Sequence, residues 1–304
     1  MAKKGMTTGF IGLGAIGLPM ALRIAGAGLP LHVWARRPEQ MTPALEAGAV
    51  ASDGPVAMAA DCDAICLCLS NTEAVEEVVF GSGGVAEGLK GSGAGKLVID
   101  HSTVHPERTR EMAARLYEMT GAGWIDAPVS GGPKGAAEGT LAVMAGGAAE
   151  DVDRASEILA AFAGQVTHMG PAGCGQATKA CNQIISASAI SGMAEALSLG
   201  LRFGLDIHAL PQAVKGGWAD SPLLQHYMPR MISGELVGST RTIIKDLGIA
   251  CELARARGTS LPVAERLLDT YRRVQAEGYP ESGIGSLIYA LESVPLGKDQ
   301  ERDG

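Results

Sequence analysis

Gly12-Leu13-Gly14-Ala15-Ile16-Gly17 follows the apolar run Thr8–Ile11 and opens a helical pattern over Ile16–Ala27. In a strand–turn–helix setting each glycine has its own task. Gly12 makes the tight turn, Gly14 lets the backbone approach a pyrophosphate, and Gly17 packs helix on strand. The helix N-terminus then faces the negative charge. This context predicts dinucleotide binding through Gly12, Leu13, Gly14, Ala15, Ile16 and Gly17; the bland alternative is a glycine-rich packing turn.

Outward from that turn, short apolar runs alternate with helical patterns. Leu31–Ala35, Ala64–Leu69 and Leu97–Asp100 read as buried strands, joined by Trp124–Ala127, Thr140–Ala145 and Gln165–Met169. Helical patterns cover Pro43–Ala47, Thr72–Phe80 and Pro106–Met119. Glu73 suits a helix N-terminus, and Pro106 suits the first helical position. The alternation predicts an α/β Rossmann domain, a doubly wound parallel sheet over residues 1–172.

After Gly170-Pro171-Ala172-Gly173 the pattern changes. From Gly175 to about Phe203 no strong breaker occurs, and the run is apolar on more than one face. Such a helix is expected to be buried all round, with Glu195 paired internally because an unpaired buried charge is costly. Helical patterns follow at Ile207–Lys215, Leu223–Ile232, Thr242–Arg257 and Pro262–Glu277, with a polar tail from Leu296 expected to fray. Residues 173–304 therefore read as an all-α domain joined through a long inter-domain helix. That helix needs more cover than one subunit readily gives, so a homo-oligomer, dimer or tetramer, is expected.

The 304 residues suit about two domains. Only 4% are aromatic against 42 glycines, so the core is expected to rest on Ala, Val, Leu, Ile and Met. A net charge of −8 argues against nucleic acid. The six cysteines show no metal-ligand spacing, Cys66 and Cys68 read as small core residues, and the scattered histidines form no paired-ligand motif, so no metal is expected. No stretch reads as the ~20 apolar residues of a membrane span. The N-terminus lacks a signal-type apolar core. The expectation is a cytoplasmic protein without membrane contact.

The end of the second strand bears on the nucleotide. Val33-Trp34-Ala35-Arg36-Arg37-Pro38 carries no acid before Glu39. An acid there usually holds the ribose hydroxyls of NAD. Ala35 with Arg36 and Arg37 instead suits a 2′-phosphate, because guanidinium groups bind phosphate bidentately. NADP(H) is expected over NAD(H); the alternative is a solvated basic turn. Farther on, Ser130, Gly131 and Gly132 offer a hydroxyl and unhindered N–H groups suited to a carboxylate, or else form only a glycine-rich turn.

Five segments together resemble the β-hydroxyacid dehydrogenase family, which includes 3-hydroxyisobutyrate dehydrogenase and the semialdehyde reductases. They are GLGAIGLPM (12–20), DHSTVHP (100–106), DAPVSGGPKGAAEGTL (126–141), GCGQATKACNQ (173–183) and KDLGIA (245–250). They span nearly the whole chain. The resemblance implies an NADP(H)-dependent enzyme interconverting a small 3-hydroxy acid and its semialdehyde. It implies Lys179 as catalytic general acid/base, with Asn182 and Gln183 orienting it or the substrate. It implies carboxylate binding by Ser130, Gly131 and Gly132. Leu69, Ser70 and Thr103 would line the cofactor, and Lys245 would reach it, with Asp246 structural. A snorkelling helix lysine is the bland reading of Lys179.

Three positions depart from the family pattern: Ser70 where proline is frequent, Gly238 where an aromatic often closes the substrate pocket, and Gly283 where aspartate is frequent. The last two suggest a more open pocket. Two other readings stand beside the first: an imine reductase of the same architecture, and a non-catalytic dinucleotide-binding scaffold.

Overall fold

The computed structural model describes residues 5–235, 238–277, 283, 285, 287 and 288. The tail from Leu296 lies outside them. Contacts divide the chain into Met1–Lys179 and Ala180–Gly304.

The first unit is built on β1 (Thr8–Ile11), β2 (Leu31–Trp34), β3 (Val50–Ala51), β4 (Ala64–Leu67), β5 (Leu97–Asp100), β6 (Gly123–Asp126), β7 (Val129–Ser130), β8 (Leu141–Gly146) and β9 (Ala163–Gly170). The spatial order is β3-β2-β1-β4-β5-β6-β8-β7, with β9 beside β8. From β3 to β6 every pair is parallel, and Ile11, Leu67, Asp100 and Asp126 line up in register at the carboxyl ends. β1, β4 and β5 are buried at every residue, as helices on both faces of a parallel sheet require. The chain reverses order between β1 and β4, where such sheets bind ligands.

The sheet is not wholly parallel. β8 runs antiparallel to β6 and β7, and β9 returns parallel to β8. β6 and β7 run in the same direction on either side of Ala127-Pro128, and the chain turns back only after the helix Gly132–Glu138, so β8 pairs antiparallel with both. Cys66 is fully buried, as expected of a small core residue, whereas Cys68 lies just beyond β4 and is half-buried.

The second unit is helical at its described residues. After the long helix Cys174–Arg202 come Pro222–Ile232, Thr240–Ala256 and Pro262–Ala276. Ile207–Lys215 forms not one helix but a short 3₁₀ turn, Ile207–Ala209, and then Leu210–Ala213. The core of this unit gathers Ile190, Met193, Leu197, Leu247, Leu268 and Tyr271.

The contact boundary falls between Lys179 and Ala180, because the first turns of the long helix are tied to the sheet. Two expectations need correction here. The long helix is not buried all round: Ile185, Gly192, Leu199 and the following Phe203 are exposed, and so is Glu195. Its apolar character is shared between a core face and an open face. The same helix is long and apolar enough, by length and composition, to cross a membrane. It passes because small residues raise its hydropathy, yet it carries buried Lys179 and exposed Glu195.

Candidate active site

Four loops of the first unit leave the sheet at its carboxyl edge: Gly12–Gly17 after β1, Leu69–Ser70 after β4, His101–Thr103 after β5 and Ala127–Pro128 after β6. Their sequence separation is erased by the parallel register.

The glycines of the first loop separate by task. Gly12 has φ +100°, and a Cβ there would lie 2.3 Å from the Cys68 carbonyl oxygen. A Cβ at Gly17 would lie 2.0 Å from the Gly12 carbonyl oxygen. At Gly14 a Cβ would meet nothing within 4 Å. Two glycines are thus demanded by internal packing, and the middle one leaves the backbone open to an incoming group. The helix Gly17–Gly26 begins without a side-chain cap or an acid in its first turn. The loop fits a dinucleotide pyrophosphate on these grounds.

Ala35, just after β2, is buried, and Arg36 and Arg37 stand exposed beyond it. Neither guanidinium has a carboxylate partner among the described residues. Leu69 packs against the fingerprint loop, 3.0 Å from where a Gly12 Cβ would sit. Its N–H donates to Ser102 Oγ at 2.8 Å, and the Ser102 N–H donates to Asp100 Oδ1 at 2.9 Å. Ser70 is exposed and Thr103 half-buried beside this link. His101 is structural: it is buried, lies parallel to Phe10 and edge-on to Phe162, and its Nδ1 bonds the Ala127 carbonyl oxygen at 2.9 Å. Burial pushes its imidazole down to about 4.

The segment Ser130-Gly131-Gly132 is the junction of β7 and the helix Gly132–Glu138, not a simple β-turn. Gly131 has φ +134° and Gly132 φ +64°, where side chains are strained. Pro133 near the helix start needs no N–H there.

Lys179 is 8% exposed, and its Nζ donates to the Val129 carbonyl oxygen at 2.9 Å. This places the ammonium beside the peptide that leads into Ser130. The helix carrying it is anchored by Asp126. Asp126 Oδ1 accepts the Gly173 N–H at 2.8 Å, and Oδ2 accepts the Gln176 N–H at 2.9 Å. Gln176 then bonds the β5 loop twice, accepting from Val104 N–H at 3.0 Å and donating to the Ser102 carbonyl at 2.8 Å. Arg110 Nε donates to the Ala172 carbonyl at 3.2 Å, bracing the turn before the helix. Burial pushes the Asp126 carboxyl up, opposed by the backbone N–H groups it accepts. Gln176 and Arg110 were not singled out by sequence; the only signal was a polar residue buried in a first helical turn.

In the second unit Asn182 Nδ2 donates to Gln183 Oε1 at 3.0 Å, and Gln183 Nε2 donates to Asp246 Oδ2. Lys245 Nζ lies 3.3 Å from Asp246 Oδ1. These residues thus form one chain of polar contacts around a buried aspartate. Gly238 and Gly283 are neighbours: the Gly283 N–H donates to the Gly238 carbonyl oxygen at 2.9 Å.

Known proteins resemble this chain over most of its length. Residues 7–170 match the family model for the NAD binding domain of 6-phosphogluconate dehydrogenase. Residues 173–291 match that for the NAD-binding region of NADP-dependent 3-hydroxyisobutyrate dehydrogenase. The chain is 35% identical over 289 residues to the 2-hydroxy-3-oxopropionate reductase of Escherichia coli K12, covering 94% of this chain and 97% of that protein. It is 32% identical to the mitochondrial 3-hydroxyisobutyrate dehydrogenase of Mus musculus, covering 97% and 90%. A crystal structure of 3-hydroxyisobutyrate dehydrogenase from Salmonella typhimurium superposes with TM-score 0.84 at 28% identity, covering 93% of this chain and 99% of that one.

Proposed function

The chain belongs to the β-hydroxyacid dehydrogenase family, oxidoreductases that use a nicotinamide dinucleotide on small substrates, and from that premise we propose that it interconverts a small 3-hydroxy acid and its semialdehyde, with NADP(H) preferred and Lys179 moving the proton. The observation that carries this reading is the buried Lys179 ammonium, held 2.9 Å from the Val129 carbonyl and next in sequence to the Ser130–Gly132 junction.

Gly12–Gly17, Leu69, Ser70 and Thr103 would hold the dinucleotide, and Arg36 and Arg37 its 2′-phosphate. When bound, the nicotinamide supplies or accepts the hydride. The residues of this chain do the rest. The hydroxyl and N–H groups at Ser130–Gly132 grip the substrate carboxylate. As the carbonyl of a semialdehyde is reduced, its oxygen gains alkoxide character. The Lys179 ammonium stabilises that charge and delivers a proton to the oxygen, leaving a neutral amine. In the other direction the neutral amine takes the proton of the alcohol. The Val129 carbonyl accepts one of the ammonium N–H groups and holds the side chain beside Ser130.

The test is NADPH oxidation against glyoxylate, succinic semialdehyde, tartronate semialdehyde and methylmalonate semialdehyde, with wild type and Lys179→Ala side by side. Turnover of at least one aldehyde by wild type, lost in Lys179→Ala with NADPH affinity kept, is expected. Near-normal turnover in that variant would defeat the assignment. Reduction of a cyclic imine but no aldehyde would favour an imine reductase, and NADPH binding without any turnover a scaffold.

A further inference from the structure

Gln176 is tied to two strands at once. Asp100 and Asp126 face each other in register at the ends of β5 and β6. Asp126 holds the Gln176 backbone N–H, while the Gln176 side chain reaches across to the loop that follows Asp100. There Oε1 accepts the Val104 N–H at 3.0 Å and Nε2 donates to the Ser102 carbonyl oxygen at 2.8 Å, 72 and 74 residues away along the chain. The residue between those two is Thr103. Ser102 and Val104 are buried on either side of it, and Thr103 itself is half-buried. One amide thus grips the backbone on both flanks of Thr103. Ser102 carries the tie one loop farther, because its Oγ accepts the Leu69 N–H.

We propose that Gln176 is a positioning residue: it locks the loop of Thr103 to the helix of Lys179, and so fixes the nicotinamide side of the cofactor site against the proton donor. This rests on the roles proposed above for Thr103 and Lys179. Lys179 lies three residues beyond Gln176, on the same side of the helix, and its Nζ is held at the Val129 carbonyl oxygen just past β6. The two halves of the reaction are therefore carried by separate segments that Gln176 holds together. Hydride transfer needs reacting atoms about 3–3.5 Å apart, and a displacement of about 1 Å can cost on the order of a hundredfold in rate.

The residue type follows from what the loop presents. Val104 offers a donor and Ser102 an acceptor, and a neutral amide supplies both complements. An ionised carboxylate could only accept, and an alkyl side chain would satisfy neither group. Attaching the helix to the sheet does not itself call for this side chain. Asp126 already takes the backbone N–H groups of Gly173 and Gln176, and the Arg110 side chain braces the Ala172 carbonyl. Gln176 is also 1% exposed. A long polar side chain fixed in the interior loses its rotamer freedom, a cost that alanine or leucine would lessen while serving the helix as well. The amide is spent on the loop.

The test reads the loop and the chemistry separately. In the cofactor-free protein, Gln176→Met should speed amide hydrogen exchange at Val104 by about tenfold or more relative to Ile99 in β5, the reference for the sheet. In single-turnover NADPH oxidation with an aldehyde that wild type reduces, the rate constant should fall roughly ten- to a hundredfold, while the amplitude per folded enzyme and the Kd for NADPH stay within about threefold. A loss of stability alone would lower the amplitude and leave the rate constant where it was. Gln176→Asn keeps the amide on a stem too short to reach both groups, so it should show the same changes, and it serves if the methionine variant misfolds. A wild-type rate constant in either folded variant would overturn the proposal. So would Val104 exchange that rises no more than that of Ile99, or a Kd for NADPH that weakens in step with the rate. Lys179→Ala separates this proposal from the reading beneath it. Turnover that survives in Lys179→Ala defeats the role of Lys179 itself, whereas an inactive Lys179→Ala beside undisturbed Gln176 variants defeats the positioning role alone.

Discussion

Asp126 Oδ2 accepts the backbone N–H of Gln176 at 2.9 Å, across fifty residues of chain. The carboxylate that ends β6 therefore starts the helix on which Lys179 lies one turn later. Asp126→Asn keeps the shape but offers one acceptor where two are used. A hydrogen bond to a charged group contributes about 1.5–3 kcal/mol, and Tm should fall accordingly. In the surviving protein kcat should fall tenfold or more, with KM for NADPH within about threefold of wild type. Loss of NADPH affinity in step with kcat would mean a general collapse of the sheet edge.

Arg36 and Arg37 stand beyond the buried Ala35 with no carboxylate partner among the described residues. Replacing both with serine should lower kcat/KM for NADPH by ten- to a hundredfold, the equivalent of one or two charge-assisted hydrogen bonds. The value for NADH should barely move. A wild type that strongly prefers NADH would remove the role given to both arginines.

His101 makes stability depend on acid. Its folded imidazole is pushed down to about 4 from an ordinary 6.5, chiefly by burial. Between those values the unfolded chain takes up a proton that the folded chain refuses, so stability falls as pH falls from about 6.5 towards 4. Above that window the stability is fully present. The whole shift corresponds to on the order of 3 kcal/mol. His101→Gln should be less stable at pH 7.5, where its aromatic packing is missed, but should show a shallower loss of Tm between pH 7 and 5. Equal slopes would show that His101 titrates normally.

Gly12→Ala meets two obstacles, the positive φ of +100° and the Cys68 carbonyl 2.3 Å from the new Cβ. Stability should drop by about 2 kcal/mol or more, as for side chains forced into such conformations. Gly14→Ala should leave Tm nearly unchanged, since nothing lies within 4 Å, yet weaken dinucleotide binding. A normal NADPH Kd in the Gly14 variant would refute the close approach assigned to it.

The strands and the fingerprint were legible because their signals are local. β1 lies at Thr8–Ile11 and β5 at Leu97–Asp100, as the apolar runs predict. The short elements were not: β3 has two residues, and the helix Gly132–Glu138 hides in a glycine-rich stretch. The anchoring of the long helix escaped for a different reason. Helix-start rules look one to three residues ahead, whereas Asp126 acts on Gly173 and Gln176 through the fold. Which side of that helix stays open was also invisible, because a residue that packs inside a subunit and one that faces outward can be equally apolar. Glu195, expected to be buried and paired, is exposed on that open side.

Gly17 and Gly12 are locked to each other, since a Cβ on the first would sit 2.0 Å from the carbonyl oxygen of the second. Neither can drift without the other, so descent with modification should leave this loop nearly silent. Arg36 and Arg37, only a strand away, are exposed, and neither guanidinium has a carboxylate partner among the described residues. If they choose the cofactor as proposed, that choice can wander among descendants of this gene while the ability to hold a cofactor is inherited intact. A laboratory lineage selected on NADH should accumulate its first changes at the end of β2 and leave the glycines untouched.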